Sequence, residues 1–173
     1  CSLQRRNQKL IEETPSPAVN DEKRKNIIKQ AVEAVKKIGY TGAGTLEFLL
    51  DREGNFWFME MNVRLQVEHC VTEMLTGFDI VKWQIRIASG IPLNFTQDDV
   101  KLQGAAIECR INAASCGTLS MLHVPGGPSV RFDTSLIEGT TVSPYYDSLL
   151  GKLIVFAKTR EEALRKIKAG LCE

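Results

Sequence analysis

Two apolar runs separated by a short turn constrain the fold of this chain most. The runs cover residues 45–50 and 56–61, and the turn between them, residues 51–55, carries Gly54 near its tip. Apolar and aromatic runs on either side of such a turn predict a β-hairpin. This hairpin is expected to hold in place the polar segment that follows it.

One register of the hairpin brings two acidic residues face to face. If Leu50 pairs with Trp57, Glu47 lies opposite Glu60, with Cβ atoms about 5 Å apart. Like charges at that spacing repel, and a divalent cation between them would turn the repulsion into attraction. The opposite face would be wholly apolar and is expected to lie on a core; it comprises Leu46, Phe48, Leu50, Trp57, Met59 and Met61.

The segment 60–69 concentrates charged and amide side chains. If it stays extended, alternate residues share a face, and that face carries Glu60, Asn62, Arg64 and Gln66. Carboxylate and amide oxygens suit a hard cation such as magnesium, and the arginine fork suits a carboxylate-like or phosphate-like anion. The pattern indicates phosphoryl transfer, with an ordinary polar strand edge as the alternative.

The motif resembles the signature of a known family. Glu47, followed by Glu60-Met61-Asn62-x-Arg64-x-Gln66-Val67-Glu68-His69-x-Val71-Thr72-Glu73, is similar to biotin carboxylases, the ATP-grasp components of acetyl-CoA, propionyl-CoA, methylcrotonoyl-CoA and pyruvate carboxylases. Similar segments extend over nearly the whole chain. The implied fold class is α+β with antiparallel sheets: the C-terminal lobe of an ATP-grasp domain over residues 1–92, then part of a biotin carboxylase C-terminal domain over residues 93–173.

The resemblance implies a reaction in two halves. ATP phosphorylates bicarbonate to carboxyphosphate, and the carboxyl group then passes to a ureido nitrogen of biotin on a carrier protein. Glu47, Glu60 and Asn62 would ligate Mg²⁺ or Mn²⁺ at the ATP phosphates. Gln4 and Asn7, together with the two glutamates, would lie near the nucleotide. Many relatives have histidine where this chain has Asn7.

The resemblance also assigns the residues that would handle bicarbonate and biotin. Glu68 would be the base that deprotonates bicarbonate. Arg64 would grip the anion and stabilise the biotin enolate. The rest of the pocket would comprise Lys9, Gln66, the Val67 backbone and Arg131. Glu73 is expected to be a carboxylate on a helix surface.

The implied partners are those of a multicomponent carboxylase. They are a biotin carboxyl carrier protein or domain, a carboxyltransferase component and a second copy in a homodimer. Because the chain opens at Cys1 in the middle of the pattern, it is expected to be a fragment. The fragment is expected to be nearly inactive alone, because similar enzymes use a glycine-rich lid and upstream lysines that this sequence does not contain. Two rival readings are another ATP-grasp ligase, which would not need the Arg-x-Gln-Val-Glu continuation, and a non-catalytic interaction module.

Composition narrows the class of protein. The 173 residues are 43% apolar and 25% charged with a net charge of +1, which is typical of a soluble globular protein and gives no argument for nucleic acid or membrane partners. No apolar run approaches the ~20 residues that span a bilayer. The five scattered cysteines suggest neither zinc nor a disulfide framework. A cytoplasmic location is expected, or the mitochondrial matrix for a eukaryotic parent.

The remaining patterns predict scaffold elements. A strand is expected over 2–13 and a helix over 21–38, with Asn20 as N-cap and Gly39 past its end. Asp79 would cap a helix over 79–89, and a capping box over 159–162 would open the last helix. Alternation over 105–111 predicts a half-buried strand. Two helical stripes are expected to be buried: Ile28, Ala31, Val32, Val35 and Ile38 in the first, and Ile80, Val81, Ile85 and Ala88 in the second.

Overall fold

The computed structural model describes residues 1–173, which form nine strands and four helices. In chain order these are β1 (Ser2–Arg5), β2 (Gln8–Thr14), α1 (Asp21–Lys37), β3 (Thr45–Leu50), β4 (Phe56–Asn62), α2 (His69–Thr76), α3 (Ile80–Ala88), β5 (Ala105–Asn112), β6 (Gly117–Thr118), β7 (Val130–Thr134), β8 (Thr141–Val142), β9 (Leu149–Ala157) and α4 (Arg160–Cys172). Helices accompany antiparallel sheets, so the predicted α+β class is confirmed. None of the helices is both long and apolar enough to span a membrane.

The elements divide into two compact units that alternate along the sequence. The first unit comprises Cys1–Pro15, Cys70–Gly77 and Lys101–Glu173, and the second comprises Ser16–His69 and Phe78–Val100. The predicted boundary near residue 92 concerns the domains of the family and stays a prediction.

The first unit is built on a five-stranded antiparallel sheet in the order β1-β2-β5-β9-β7. On one face, β5 and β9 pack against α4 through Ile107, Leu153, Val155 and Ile167 among others. On the other face, Ala106 and Ile154 pack against Cys70 and Val71 of α2. Burying one such aliphatic side chain contributes about 1.5–3 kcal/mol. The two apolar layers therefore hold the sheet between two helices.

The half-buried pattern predicted for 105–111 is wrong, because β5 is a central strand with both faces covered. Glu108, expected to face water, is 0% exposed. Polar residues lie on the covered face toward α2, since Arg110 pairs with Lys152 and Lys152 pairs with Asp133 across three adjacent strands. Alternation in the sequence indicates that β5 has a polar side, but it does not indicate that α2 covers that side.

The single strand predicted over 2–13 is wrong as well. The chain forms a hairpin in which Arg5 pairs with Gln8 and the turn residues Arg6 and Asn7 have φ of +51° and +61°. Positive φ at both turn positions is the type I′ geometry that matches the twist of the flanking strands. Neither residue is glycine, so the usual hairpin signal was missing.

The predicted helix starts are confirmed. In α1, the Asn20 side chain accepts a hydrogen bond from the Lys23 amide at 2.9 Å, and in α3 the Asp79 carboxylate accepts one from the Lys82 amide at 2.7 Å. In α4, Thr159 and Glu162 form the expected capping box. Each cap satisfies an N–H that the helix itself cannot, which typically stabilises by about 1 kcal/mol.

The buried stripe predicted on α1 is only half-buried, and Ile38 is 67% exposed. Within the second unit, an apolar groove of about 430 Å³ separates this face of α1 from the β3–β4 hairpin. The groove is lined mainly by Ala31, Val35, Ile38, Leu46, Phe48, Phe58 and Met61. Three residues of the predicted stripe, Ala31, Val35 and Ile38, therefore line the groove beside the hairpin without being fully buried.

The stripe predicted on α3 is wrong in part. Val81 and Ile85 are exposed, whereas Trp83 packs edge-on against Phe95 with ring centroids 5.2 Å apart. Phe95 in turn stacks on Phe78 at 4.2 Å. The aromatic residues that flank the helix in sequence therefore decide which of its faces is covered.

Candidate active site

The β3–β4 hairpin of the second unit brings two carboxylates and two amides together. Glu47 pairs directly with Glu60, as predicted. The Asn62 NH₂ group donates to Glu60 Oε1 at 2.8 Å and to Glu47 Oε1 at 3.2 Å. The Gln66 NH₂ group donates to the same Glu47 oxygen at 2.6 Å. Amide hydrogens thus offset the repulsion between the two carboxylates.

The predicted register is right at this end of the hairpin and wrong toward the turn. Leu50 pairs with Phe56 instead of Trp57, because Phe48 pairs with Phe58 and leaves Met59 as an extra residue, a β-bulge. The apolar face therefore carries Leu46, Phe48, Leu50, Phe56, Phe58 and Met61. Trp57 and Met59, expected on that face, do not belong to it. The face is also not fully covered by a core, as was expected, because Phe58 is 61% exposed.

The segment after β4 does not stay extended, which corrects the expected face of four alternating residues. The strand ends at Asn62, and a bend at Val63 and Arg64 precedes a turn that leads into α2. The bend carries Gln66 back to Glu47 and leaves Arg64 out of the cluster. Three of the four side chains still belong to the cluster: Glu60 and Asn62 by alternation within β4, and Gln66 because the chain folds back.

The donor set of this cluster fits a hard divalent cation. Carboxylate and amide oxygens are the ligands that magnesium takes, and the cluster offers both kinds. Gln66 is 8% exposed, and its Oε1 atom is buried without a hydrogen-bond partner. A buried carbonyl oxygen without a partner is costly in an apoprotein, and a cation or a donor on a ligand would satisfy it.

The two residues expected to carry the chemistry lie just beyond the cluster. Arg64 is exposed and donates to the Leu65 carbonyl at 3.3 Å. Glu68 and Val67 are half-buried in the turn before α2. The guanidinium of Arg64 is thus held by one neutral acceptor and keeps most of its donors.

Arg131, in the first unit, is engaged by two carboxylates. Its Nε and Nη2 atoms donate to the two oxygens of Asp133, each at 2.7 Å, and Nη1 donates to Glu73 at 2.7 Å. These bonds raise the pKa of Arg131 further above its usual range, the pair with Asp133 most. The expectation for Glu73 is wrong: its side chain is 10% exposed and ion-paired.

The charge network around Arg131 also includes Lys152 and Cys70, which no sequence motif marks as functional. Lys152 Nζ lies 3.6 Å from Asp133 Oδ2 and donates to Cys70 Sγ at 2.8 Å. Burial raises the pKa of Asp133, but bonds from Arg131 and Cys70 and the nearby cations outweigh it and lower the pKa to about 2. Two cations and two carboxylates balance in this network.

The remaining predicted residues lie on the first hairpin of the first unit. Gln4 pairs with Lys9 across β1 and β2, so their side chains share a face. Asn7 is exposed in the turn between the strands. The structure therefore places Gln4 and Lys9 on one face of this hairpin and Asn7 at its turn. Their proposed contacts with nucleotide and bicarbonate stay predictions.

Comparisons with known families agree with the motif. The family described as "Carbamoyl-phosphate synthase L chain, ATP binding domain" matches residues 1–96, and the biotin carboxylase C-terminal domain matches residues 108–173. The chain belongs to the biotin carboxylase family of ATP-grasp proteins. Biotin carboxylase of Haemophilus influenzae is 50% identical over 180 residues, and that of Nostoc sp. is 54% identical over 181.

Each of these alignments covers 100% of this chain and 40% of the relative, so the chain spans well under half of its relatives' length. Solved structures of biotin carboxylases are also similar to this chain. The biotin carboxylase domain dimer of the Hydrogenobacter thermophilus 2-oxoglutarate carboxylase, in complex with MgADP, ADP and bicarbonate, has a TM-score of 0.96 at 49% identity, covering 99% of this chain and 40% of that one. A Campylobacter jejuni biotin carboxylase in complex with a β-γ-ATP ligand has a TM-score of 0.96 at 45% identity, covering 100% and 40%.

Proposed function

We propose that this chain supplies metal-binding and anion-binding residues of a biotin carboxylase, which carboxylates biotin with bicarbonate in an ATP-dependent reaction. The observation that carries the proposal is the convergence of Glu47, Glu60, Asn62 and Gln66 on one end of the hairpin. Relatives of this sequence are biotin carboxylases, and one similar structure binds MgADP and bicarbonate.

Glu47, Glu60 and Asn62 would hold the magnesium ion. When bound, the ion neutralises charge on the ATP phosphates during phosphoryl transfer. The amide of Asn62 now presents its NH₂ to both carboxylates, and a half-turn of that amide would present oxygen instead. Gln66 orients Glu47 through its 2.6 Å bond and keeps a buried oxygen for a ligand donor.

Arg64 and Glu68 would act on bicarbonate and biotin. Glu68 takes the bicarbonate proton, which leaves an oxygen nucleophile for the terminal phosphorus of ATP. The exposed guanidinium of Arg64 offers parallel donors where negative charge grows on the biotin ureido oxygen. Lys9, the Val67 backbone and Arg131 would assist in anion binding. Arg131 does so with its remaining donors, since three of its N–H groups already bond to carboxylates.

The wider partners follow from the same proposal. Biotin would arrive on a carboxyl carrier protein or domain, and a carboxyltransferase component would consume the carboxybiotin. A homodimer is the proposed assembly, as in the similar domain dimer of H. thermophilus. The proposed location is the cytoplasm, or the mitochondrial matrix for a eukaryotic parent.

Metal binding can be tested on the chain itself. Titration calorimetry with Mn²⁺ should show a site in the unmodified chain that is weakened at least about tenfold by Glu60→Gln, because a ligand charge is lost. The matched control is Glu53→Gln, an exposed glutamate in the turn of the same hairpin, which should leave binding unchanged. Equal affinity in all three proteins would contradict the assignment of the metal ligands.

The activity can be tested in a chimera. This chain would replace the matching region of the Haemophilus influenzae biotin carboxylase, with which it is 50% identical, and free-biotin carboxylation would be assayed. The chimera should be active and should require bicarbonate and ATP. Arg64→Lys should lower its rate roughly 100-fold to 1000-fold with little change in ATP binding, because lysine keeps the charge but loses the fork. Near-normal carboxylation by that variant would refute the role of Arg64.

A further inference from the structure

A thiol and an amine lie in contact inside the first unit. Cys70 Sγ, on α2, is 2.8 Å from Lys152 Nζ, on β9. Cys70 is 0% exposed and Lys152 is 9% exposed. Lysine side chains are rarely buried to this extent, and here the amine directly adjoins a soft, oxidisable atom.

Asp133 fixes both groups in place. The Cys70 thiol donates to Asp133 Oδ2 at 3.2 Å, and the Lys152 ammonium lies 3.6 Å from the same oxygen. One carboxylate oxygen thus holds the sulfur and the nitrogen side by side. Since Asp133 is itself anchored by two bonds from Arg131, this geometry is maintained from several directions.

Cys70 has no disulfide partner in this environment. The second buried cysteine, Cys109, belongs to the apolar layer on the opposite face of the sheet, and all five cysteines are free thiols. Burial raises the pKa of Cys70 to about 11, against an opposing effect of Lys152. Attack on large disulfide reagents is therefore disfavoured, and the reactive neighbour within reach is the lysine amine.

We propose that Cys70 and Lys152 form a covalent nitrogen–oxygen–sulfur bridge when the protein is exposed to dioxygen. Lys152 enters as the amine after giving one proton to solvent. The S–H bond and one N–H bond break, an S–O and an O–N bond form through one oxygen atom, and the second oxygen leaves as water. Sulfur and nitrogen each lose two electrons, and dioxygen accepts all four.

The geometry favours this product over the alternatives. The two atoms already stand at a separation that a single oxygen atom can bridge, whereas a direct S–N bond would require them to move closer together. Dioxygen is small and apolar, so it reaches a buried thiol through local openings that exclude larger oxidants. Sulfenic acids otherwise condense with thiols or amide nitrogens, and here the amine is the group in contact.

The bridge would stabilise the unit and change its charges. It would close a loop between residues that are 82 positions apart, which restricts the unfolded chain and should raise the melting temperature on the order of 10 °C. It would also remove the ammonium charge beside Asp133, leaving that carboxylate to Arg131 alone. The oxidation state of Cys70 would thereby alter the charge balance around Arg131.

Peptide mapping tests the proposal. The 173-residue chain is purified under argon and divided into two samples, one kept under argon and one in air-saturated buffer. Both samples are then denatured, alkylated and digested with trypsin. In the air-exposed sample we expect a linked pair of peptides containing Cys70 and Lys152. Its mass should equal both peptides plus one oxygen and minus two hydrogens. Cys70 should escape alkylation, and trypsin should not cut after Lys152.

Three variants serve as controls. Lys152→Arg keeps a positive charge but has no primary amine, and Cys70→Ser has no sulfur, so neither should form the link or gain thermal stability in air. Cys109→Ser changes the other buried cysteine and should form the link as the unmodified chain does. Full alkylation of Cys70 after prolonged exposure to air would overturn the proposal. So would sulfinic acid at Cys70, or a linked mass without the added oxygen.

Discussion

Asp133 should be a main electrostatic determinant of the stability of the first unit. It accepts two 2.7 Å bonds from Arg131 and one from the Cys70 thiol, and Lys152 lies 3.6 Å away. The substitution Asp133→Asn keeps the size of the side chain but removes its charge. It leaves Arg131 with Glu73 and removes a negative charge 3.6 Å from the buried Lys152 ammonium.

The magnitude follows from the pKa of Asp133, which falls from an ordinary 3.8 to about 2 in the folded protein. At ~1.4 kcal/mol per pH unit, this difference corresponds to about 2 kcal/mol of stability. The side chain is 31% exposed, so solvent screening makes that figure an upper value for the charge effect alone. Removing a negative charge from beside the buried Lys152 ammonium adds to the loss, and the total should be about 2–4 kcal/mol at pH 7.

The pH dependence has a definite sign. Because the folded pKa lies below the unfolded value, the contribution is fully present above about pH 4 and is lost as the pH falls toward 2. The charge effect should therefore be roughly halved at pH 3. The difference in stability between the unmodified chain and Asp133→Asn should shrink accordingly between pH 7 and pH 3.

Urea unfolding at pH 7, 5 and 3, followed by circular dichroism, measures this difference. Glu138→Gln is the matched control, because it makes the same carboxylate-to-amide change at an exposed residue and should cost less than ~0.5 kcal/mol. The reasoning would be refuted by a loss below ~0.5 kcal/mol for Asp133→Asn at pH 7. An equal loss at pH 7 and pH 3 would show that the effect is not due to the charge.

Three further predictions concern single positions. Without metal, Glu60→Gln should leave the melting temperature unchanged or slightly higher, because it relieves the like-charge pair with Glu47; a clear drop in calorimetry would indicate a structural role. Gly104→Ala should cost about 2–3 kcal/mol in urea unfolding, because φ is +86° and the new Cβ would lie 2.5 Å from the Ala157 carbonyl. Gly90→Ala, with φ of +79° and open space, should cost only about 1 kcal/mol, and equal losses would exclude the clash. The hydrogen bond from the Trp57 indole is the largest cause of the low pKa of Asp51, about 2. Trp57→Phe should therefore move the pKa of Asp51 toward 3.8, which can be measured from the ¹³C chemical shift of its carboxyl group. An unchanged pKa would contradict the assigned hydrogen bond.

Features that depend on neighbouring residues in the chain could be predicted from sequence. The caps Asn20, Asp79 and Thr159 each act on a backbone amide three positions away, so a short window contains all the information. The turn of the central hairpin is local for the same reason. The site motif could be found because five of its members lie within the nine residues 60–68: Glu60, Asn62, Arg64, Gln66 and Glu68.

Features that depend on distant packing could not be predicted. Periodicity showed that β5 has a polar side, but only the placement of α2 over that side buries Glu108 and joins Lys152 to Cys70. Asp133 and Glu73 are unremarkable in sequence and gain their importance from Arg131. Residues 58 to 82 positions apart contribute these contacts, and no local pattern encodes which strand faces which helix.

The central hairpin shows how a partly wrong register can still give the right site. Its turn end is set by Asp51, whose carboxylate binds Asn55 and Trp57. Its far end is set by the amides that hold Glu47 against Glu60. The strand registers at the two ends differ by one residue, and Met59 is the extra residue in the bulge between them. A register that pairs Leu50 with Trp57 has the offset of the far end, so it pairs Glu47 with Glu60 correctly. The same offset does not hold beyond the bulge, so it places Trp57 on the wrong face near the turn.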